Sequence, residues 1–284
     1  MKYRFNLFTT GILLMTTLSV QSQKLKNIQE TNMLAPSGIR IDGKNTEWGE
    51  NFQAENKTTD LFYTISNDDK NLYLIIKSKD VANNTKILAG GITFSINADG
   101  KKREDESMSL TYPLVNRTAP GGGGERRRMG AIMSGGGGGR GQRSVEQRDS
   151  MMAAMQKTQL AQVKEIKIKG FKNTSDTLIS IYNEYGIKAV ANIDQDKSLF
   201  YELAIPFEAL GLSKDTPKEF AYNIKLNGLH LPGFDGGGGG GRGGFGGGGG
   251  GRGGFGGGGR GPGGVDFQAL TSPTDFWGKY TIRK

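Results

Sequence analysis

The chain offers few side chains with the chemistry for catalysis or metal binding. It has 284 residues, no cysteine and a single histidine, His230. Disulfides, thiolate zinc sites, iron–sulfur clusters, cysteine nucleophiles and lipoprotein anchors are therefore excluded. So is any multi-histidine metal site within the chain, and a Ser-His-Asp triad would have to run through His230 alone. His230 stands in Leu229-His230-Leu231-Pro232 and reads as a partly buried histidine at a strand end. Carboxylates are plentiful but scattered. Asp42, Asp68, Asp69, Asp80, Asp99, Asp194, Asp196 and Asp275 fall at turns. Oxygen-rich turns can hold structural calcium, but Asp is also an ordinary turn residue, and the spacing of an EF-hand loop is absent. Glycoside hydrolysis needs two carboxylates facing each other across a cleft, and no pair stands out. The glycine-rich stretches lack the GxxxxGK[ST] pattern and do not join a strand to a helix, so they do not support nucleotide binding.

The elements that must position any site are mostly strands. Leu61–Ser66 and Leu72–Ser78 flank the turn cluster Asn67–Asn71 and read as a hairpin. Gly91–Asn97 leads to Asp99-Gly100, a hairpin-turn pair, with Ser107–Tyr112 as its partner. Val163–Lys169 alternates between polar and apolar residues. Thr177–Tyr182, Ile187–Ile193, Leu199–Ile205, Phe220–Leu226 and Lys279–Arg283 complete about ten strands. The expected fold is all-β, an antiparallel sandwich. Pro206 and Gly211 bracket one helical turn, Phe207–Leu210. Val145–Leu160 places Met151, Met152, Met155 and Gln159 at helical spacing and predicts an inserted amphipathic helix of about four turns. Its methionines read as apolar packing.

At the N-terminus, Lys2 and Arg4 precede an apolar run from Leu7 to Leu18. Val20 and Ser22 then sit where a signal peptidase needs small residues before Gln23. Residues 1–22 therefore read as a secretory signal peptide, and 23–284 as one exported domain, periplasmic or extracellular, with no other segment apolar enough to span a membrane. Two inserts, 119–144 and 236–264, hold 34 of the 47 glycines. They cannot bury a core and are expected to be disordered loops. The net charge of +9 lives outside the domain body. The leader carries +2, the first insert +4 and the second +3, so the body is 9 − 2 − 4 − 3 = 0. No basic groove is implied. The repeated Gly-Arg-Gly-Gly-Phe of 241–245 and 251–255 is similar to RNA-binding tracts, but an exported chain with three such arginines argues against nucleic acid.

An ordered set of segments carries a family resemblance. Ile41-Asp42-Gly43-Lys44 precedes Glu47-Trp48. Phe62-Tyr63-Thr64 is followed by Asn71-Leu72-Tyr73-Leu74 and Lys79-Asp80. Gly91–Lys101 ends in its Asp-Gly turn. Phe200-Tyr201-Glu202-Leu203-Ala204-Ile205-Pro206, Phe220–Asn227 and Phe276-Trp277-Gly278 with Tyr280-Thr281-Ile282 follow. Together they resemble the carbohydrate-binding module family 9-like group of the DOMON-like β-sandwich (jelly-roll) superfamily, most closely exported versions from Bacteroidetes-type bacteria. The resemblance implies a non-catalytic sugar-binding sandwich in which two tryptophans clamp a terminal sugar ring. One clamp position falls in the loop after Asp80, here Val81–Gly90, which has no aromatic residue. The other falls near the loop before the final strand, where Phe267, Phe276 and Trp277 are on offer. Trp277 stands either as half of a clamp or as a cap on the core, and Trp48 reads as structural. The superfamily also includes calcium-binding members and haem-binding members, which hold haem with a methionine and another axial ligand, a role His230 with Met151 or Met155 would imitate. The implied partner is a glycan or cell-surface polysaccharide. The alternative is a cell-envelope structural or interaction protein whose sugar site has been lost, with an envelope protein as partner.

Overall fold

The computed structural model describes residues 24–115, 144–215, 218–229 and 267–284. The leader, the glycine-rich inserts up to Arg143 and His230 lie outside the described residues. Eleven strands are present among the described residues: β1 (Ala54–Asn56), β2 (Leu61–Asn67), β3 (Asn71–Ser78), β4 (Ile92–Asn97), β5 (Met108–Tyr112), β6 (Glu165–Lys169), β7 (Leu178–Ser180), β8 (Lys188–Ile193), β9 (Leu199–Pro206), β10 (Glu219–Leu226) and β11 (Thr274–Thr281). They form two antiparallel sheets, ordered β1-β2-β3-β9-β8 and β11-β10-β4-β5-β6-β7. The sheets pack face to face as a sandwich. The Tyr63 and Tyr222 hydroxyls meet between them at 3.0 Å, and the Tyr112 and Tyr201 rings lie 6.2 Å apart.

The strand sequences report which faces are covered. In β6, Ile166 and Ile168 are buried while Glu165, Lys167 and Lys169 face water, the alternation of a half-buried strand. By contrast, β3 and β9 are buried on nearly every residue because both of their faces are covered. Their outer face carries a second small core of Phe52, Ile75 and Phe200, with Trp48 and Phe62 packed on it. The segment leading into β1 thus forms a third layer over the first sheet.

The segment 24–35 closes sheet edges. Beyond the short β1, the edge of β2 would be open, a liability for strand pairing. The Gln29 side chain fills the gap. Its Nε2 donates to the Ile65 carbonyl and its Oε1 accepts from the Ile65 amide, both at 2.7 Å. Further along, the Asn67 amide donates to Met33 O at 3.2 Å and the Ala35 amide to Asn67 O at 2.8 Å. On the other sheet, the Thr281 amide donates to Asn32 Oδ1 at 3.1 Å.

Four helices punctuate the strands among the described residues. Contrary to the expected loop, Val81–Gly90 is a helix, α1. Asp80 explains it: its carboxylate accepts from the Asn83 amide at 2.6 Å, an N-cap that satisfies an otherwise orphan donor. The predicted Met-rich helix is α2 (Val145–Ala161), opened by a capping box of Ser144 and Gln147. α3 (Phe207–Leu210) is the expected single turn closed by Gly211. α4 (Phe267–Thr271) precedes β11. Two further differences bear on the site. The β4–β5 connection is a ten-residue loop, 98–107, rather than a tight Asp-Gly hairpin. The final strand starts at Thr274, so Phe276 and Trp277 lie within it and not before it.

Candidate functional site

The opening motif and the Tyr-Glu-Leu-Ala strand meet at Glu202. This carboxylate sits mid-strand in β9 on the outer face of the first sheet, fully buried. Its Oε2 accepts from the Asp42 and Gly43 amides at 2.9 and 2.6 Å, and its Oε1 from the Trp48 indole N–H at 3.0 Å. Burial pushes Glu202 up to about 7, against the pull of these three donors. Gly43 cannot carry a side chain here. Its φ is +77°, and an added Cβ would lie 2.9 Å from Val190 Cγ1. Trp48, with its ring 6.0 Å from Tyr73, is a fastener between layers, consistent with its structural reading. The signal for Glu202 was a lone charge inside the apolar run Phe200–Ile205, which demands buried partners.

Of the three expected sugar-binding residues, the structure separates two. Phe276 points into the core, its ring 5.0 Å from Tyr63. Trp277 is the next residue on the strand and points to the opposite, outer face, where it is partly exposed. Phe276 and Trp277 therefore cannot form one stacking platform. The backbone of Phe267 opens α4, and its side chain lies outside what is described. The neighbour Gly278 is required by close packing. A Cβ there would sit 2.2 Å from Tyr222 Cζ, so the Tyr222 ring passes beneath β11 only because that residue is glycine.

Trp277 lines an open cleft of about 390 Å³ along β11, shared with Glu30, Asn32, Lys102, Glu219 and Lys279. Four parts of the chain build it, β10 contributing Glu219. The edge strand β11 supplies Trp277 and Lys279, the edge-closing segment supplies Glu30 and Asn32, and the loop 98–107 supplies Lys102. That loop is anchored on the outer face of the second sheet. Asn97 Oδ1 accepts from the Asp99 and Lys101 amides at 3.1 Å each, and Lys225 Nζ donates to both Glu104 oxygens at 2.9 and 3.1 Å. Across the sheet from Trp277, Asn223, Ser95, Ser109 and Lys169 stand in one cross-strand row. Asn223 donates to Asp275 Oδ2 at 2.7 Å, while its Oδ1 and the Ser95 Oγ are buried without a partner among the described residues. Lys102 and Asn223 escape sequence reading because their roles come from loop folding and from strand register.

The aspartates of the turns do not converge. Among the described residues no group of three or more His, Asp or Glu side chains is arranged to hold a metal ion. Where Glu50 and Asp196 approach each other, a lysine already stands between them. Lys77 Nζ lies 2.8 Å from Glu50 and 3.4 Å from Asp196. Beside it, burial and a shared hydrogen bond with Asp196 raise Asp194 to about 6. Met151 and Met155 are partly buried on α2, and His230 lies outside the described residues. No helix among the described residues is long and apolar enough to cross a membrane. Comparison with family models, curated proteins and solved structures returns no match, so the Trp277 cleft has to be read on its own chemistry. It joins an aromatic face to a rim of amide, carboxylate and ammonium groups, a combination suited to a ring that is apolar on its face and polar at its edge.

Proposed function

We propose that the protein is an exported, non-catalytic carbohydrate-binding sandwich of the DOMON-like, family 9-like kind. The observation that carries this reading is Trp277, an indole on the outer face of an edge strand within a polar-rimmed cleft. A sugar presents its C–H face to such an indole, while its hydroxyls need donors and acceptors at the rim. The cleft supplies both from two rigid strands and two anchored segments. Such a site binds one ring or the end of a chain, and it holds the glycan without cleaving it.

Trp48 and Trp277 are the only tryptophans, so intrinsic fluorescence tests the reading. Titration of the mature protein with soluble glycans should give a saturable blue shift that is lost in Trp277→Ala. A flat response from folded protein across neutral and acidic glycans overturns it.

One observation favours a second reading, an envelope interaction protein without a sugar site. Helix α1 occupies the position of the clamp loop and presents no aromatic residue, so Trp277 has no counterpart there. That reading predicts no saturable sugar binding and a protein partner recovered by crosslinking in the envelope fraction.

A further inference from the structure

We propose that the Trp277 cleft selects anionic sugars, with Lys102 as the residue that engages the acid group. This rests on the carbohydrate reading of the cleft and adds its ligand class. The starting point is the charge balance within the cleft. Glu30 is matched by Lys26, and Glu219 by Lys279 at 2.6 Å. Of the two lysines lining the cleft, only Lys102 has no ion-pair or hydrogen-bond partner among the described residues. The other basic residues of its loop are engaged, and the loop's Asp105 does not line the cleft. Lys101 lies 3.5 Å and Arg103 2.6 Å from Glu106, and Glu104 is held by Lys225 at 2.9 Å. The loop backbone is fixed on both sides of Lys102, through the Lys101 amide on Asn97 and through the Glu104 carboxylate. The cleft's carboxylates are thus neutralised, and one unpaired ammonium remains in the lining that also holds the indole.

This arrangement suits a ring whose face is apolar and whose edge carries a negative group. A uronic acid laid on Trp277 projects its carboxylate from the ring edge, where it accepts from the Lys102 ammonium. A sulfate ester at the edge satisfies the same contact, because an ammonium is a point charge with no forked geometry to match. A neutral sugar gains only the stacking.

The test uses full-length mature protein and two matched pairs of polymers. Polygalacturonate is compared with its methyl ester, and dextran sulfate with dextran, in affinity electrophoresis at low salt. The expected result is stronger retention by at least one anionic member than by its neutral match. The carboxylate pair and the sulfate pair separate the two sources of charge. Lys102→Ala should weaken the anionic binding about fivefold, the scale of a solvent-exposed ion pair, and leave the neutral polymer unchanged. Lys101→Ala removes the same charge one residue away and should change little. Equal retention of charged and neutral polymers, or equal losses in the two lysine variants, overturns the inference while leaving a sugar site standing. Anionic retention that survives Trp277→Ala also overturns it, because the attraction then lies elsewhere on a basic chain. Retention of no polymer at all removes the sugar reading itself.

Discussion

Glu202 shows how one residue joins distant sequence. It holds the turn at Asp42-Gly43 and the indole of Trp48 through a single carboxylate. Because burial raises it to about 7, the folded protein retains a proton that the unfolded chain releases near 4.5. Its contribution to stability is complete below that lower value and declines as pH rises through about 7. In a Trp277→Phe background, Trp48 emission should titrate with a midpoint near 7, and Glu202→Gln should abolish the titration. Emission that stays constant from pH 5 to 8 would show that the carboxylate does not change charge there. At this scale the sequence was partly legible. Trp48 and Gly43 were visible as a motif, but their common partner lies about 160 positions away and was marked only by its charge in an apolar strand. Phe276 and Trp277 were legible as aromatics, yet their opposite orientations depended on both lying inside a strand, which the sequence placed later.

At the level of elements, strand pairs were readable wherever one face is wet, because alternation then survives in the sequence. β6 is the clearest case. Strand β1 went unseen because three residues leave no period to detect. Helix α1 went unseen because its cap, Asp80, also fits a strand-ending turn, and its Asn and Thr residues favour turns as much as helix. The segment 24–35 had no pattern at all, since it works through side-chain amides. Its role is nonetheless testable. Gln29→Ala would leave the buried Ile65 amide and carbonyl unpaired, at a cost of about 2–4 kcal/mol if neither finds water. Urea unfolding should register that loss as a lower midpoint. A shift below about 0.5 kcal/mol would mean that the β2 edge is satisfied by solvent.

On the scale of the whole molecule, the described residues by themselves assemble a continuous core between the two sheets. Replacing 119–143 and 236–264 with short linkers should therefore leave the thermal unfolding midpoint nearly unchanged, since loop-closure entropy varies slowly with length. The same replacement removes +4 and +3 and should carry the mature protein from cation-exchange retention toward the void. A lost cooperative transition would show that the inserts contribute to the core. The strand register adds a geometric point. In the sequence the two inserts follow β5 and β10, and the last residues of those strands, Tyr112 and Leu226, both pair with Ile92. The cleft instead runs from Trp277 toward Thr281, whose partner is Glu219 at the far end of β10. Thr274 and Thr281 are about 23 Å apart along the strand. The sandwich is therefore bipolar. A tag or fluorophore spliced in after Tyr112 or Leu226 is rooted at one pole and leaves the other free to report on whatever docks there.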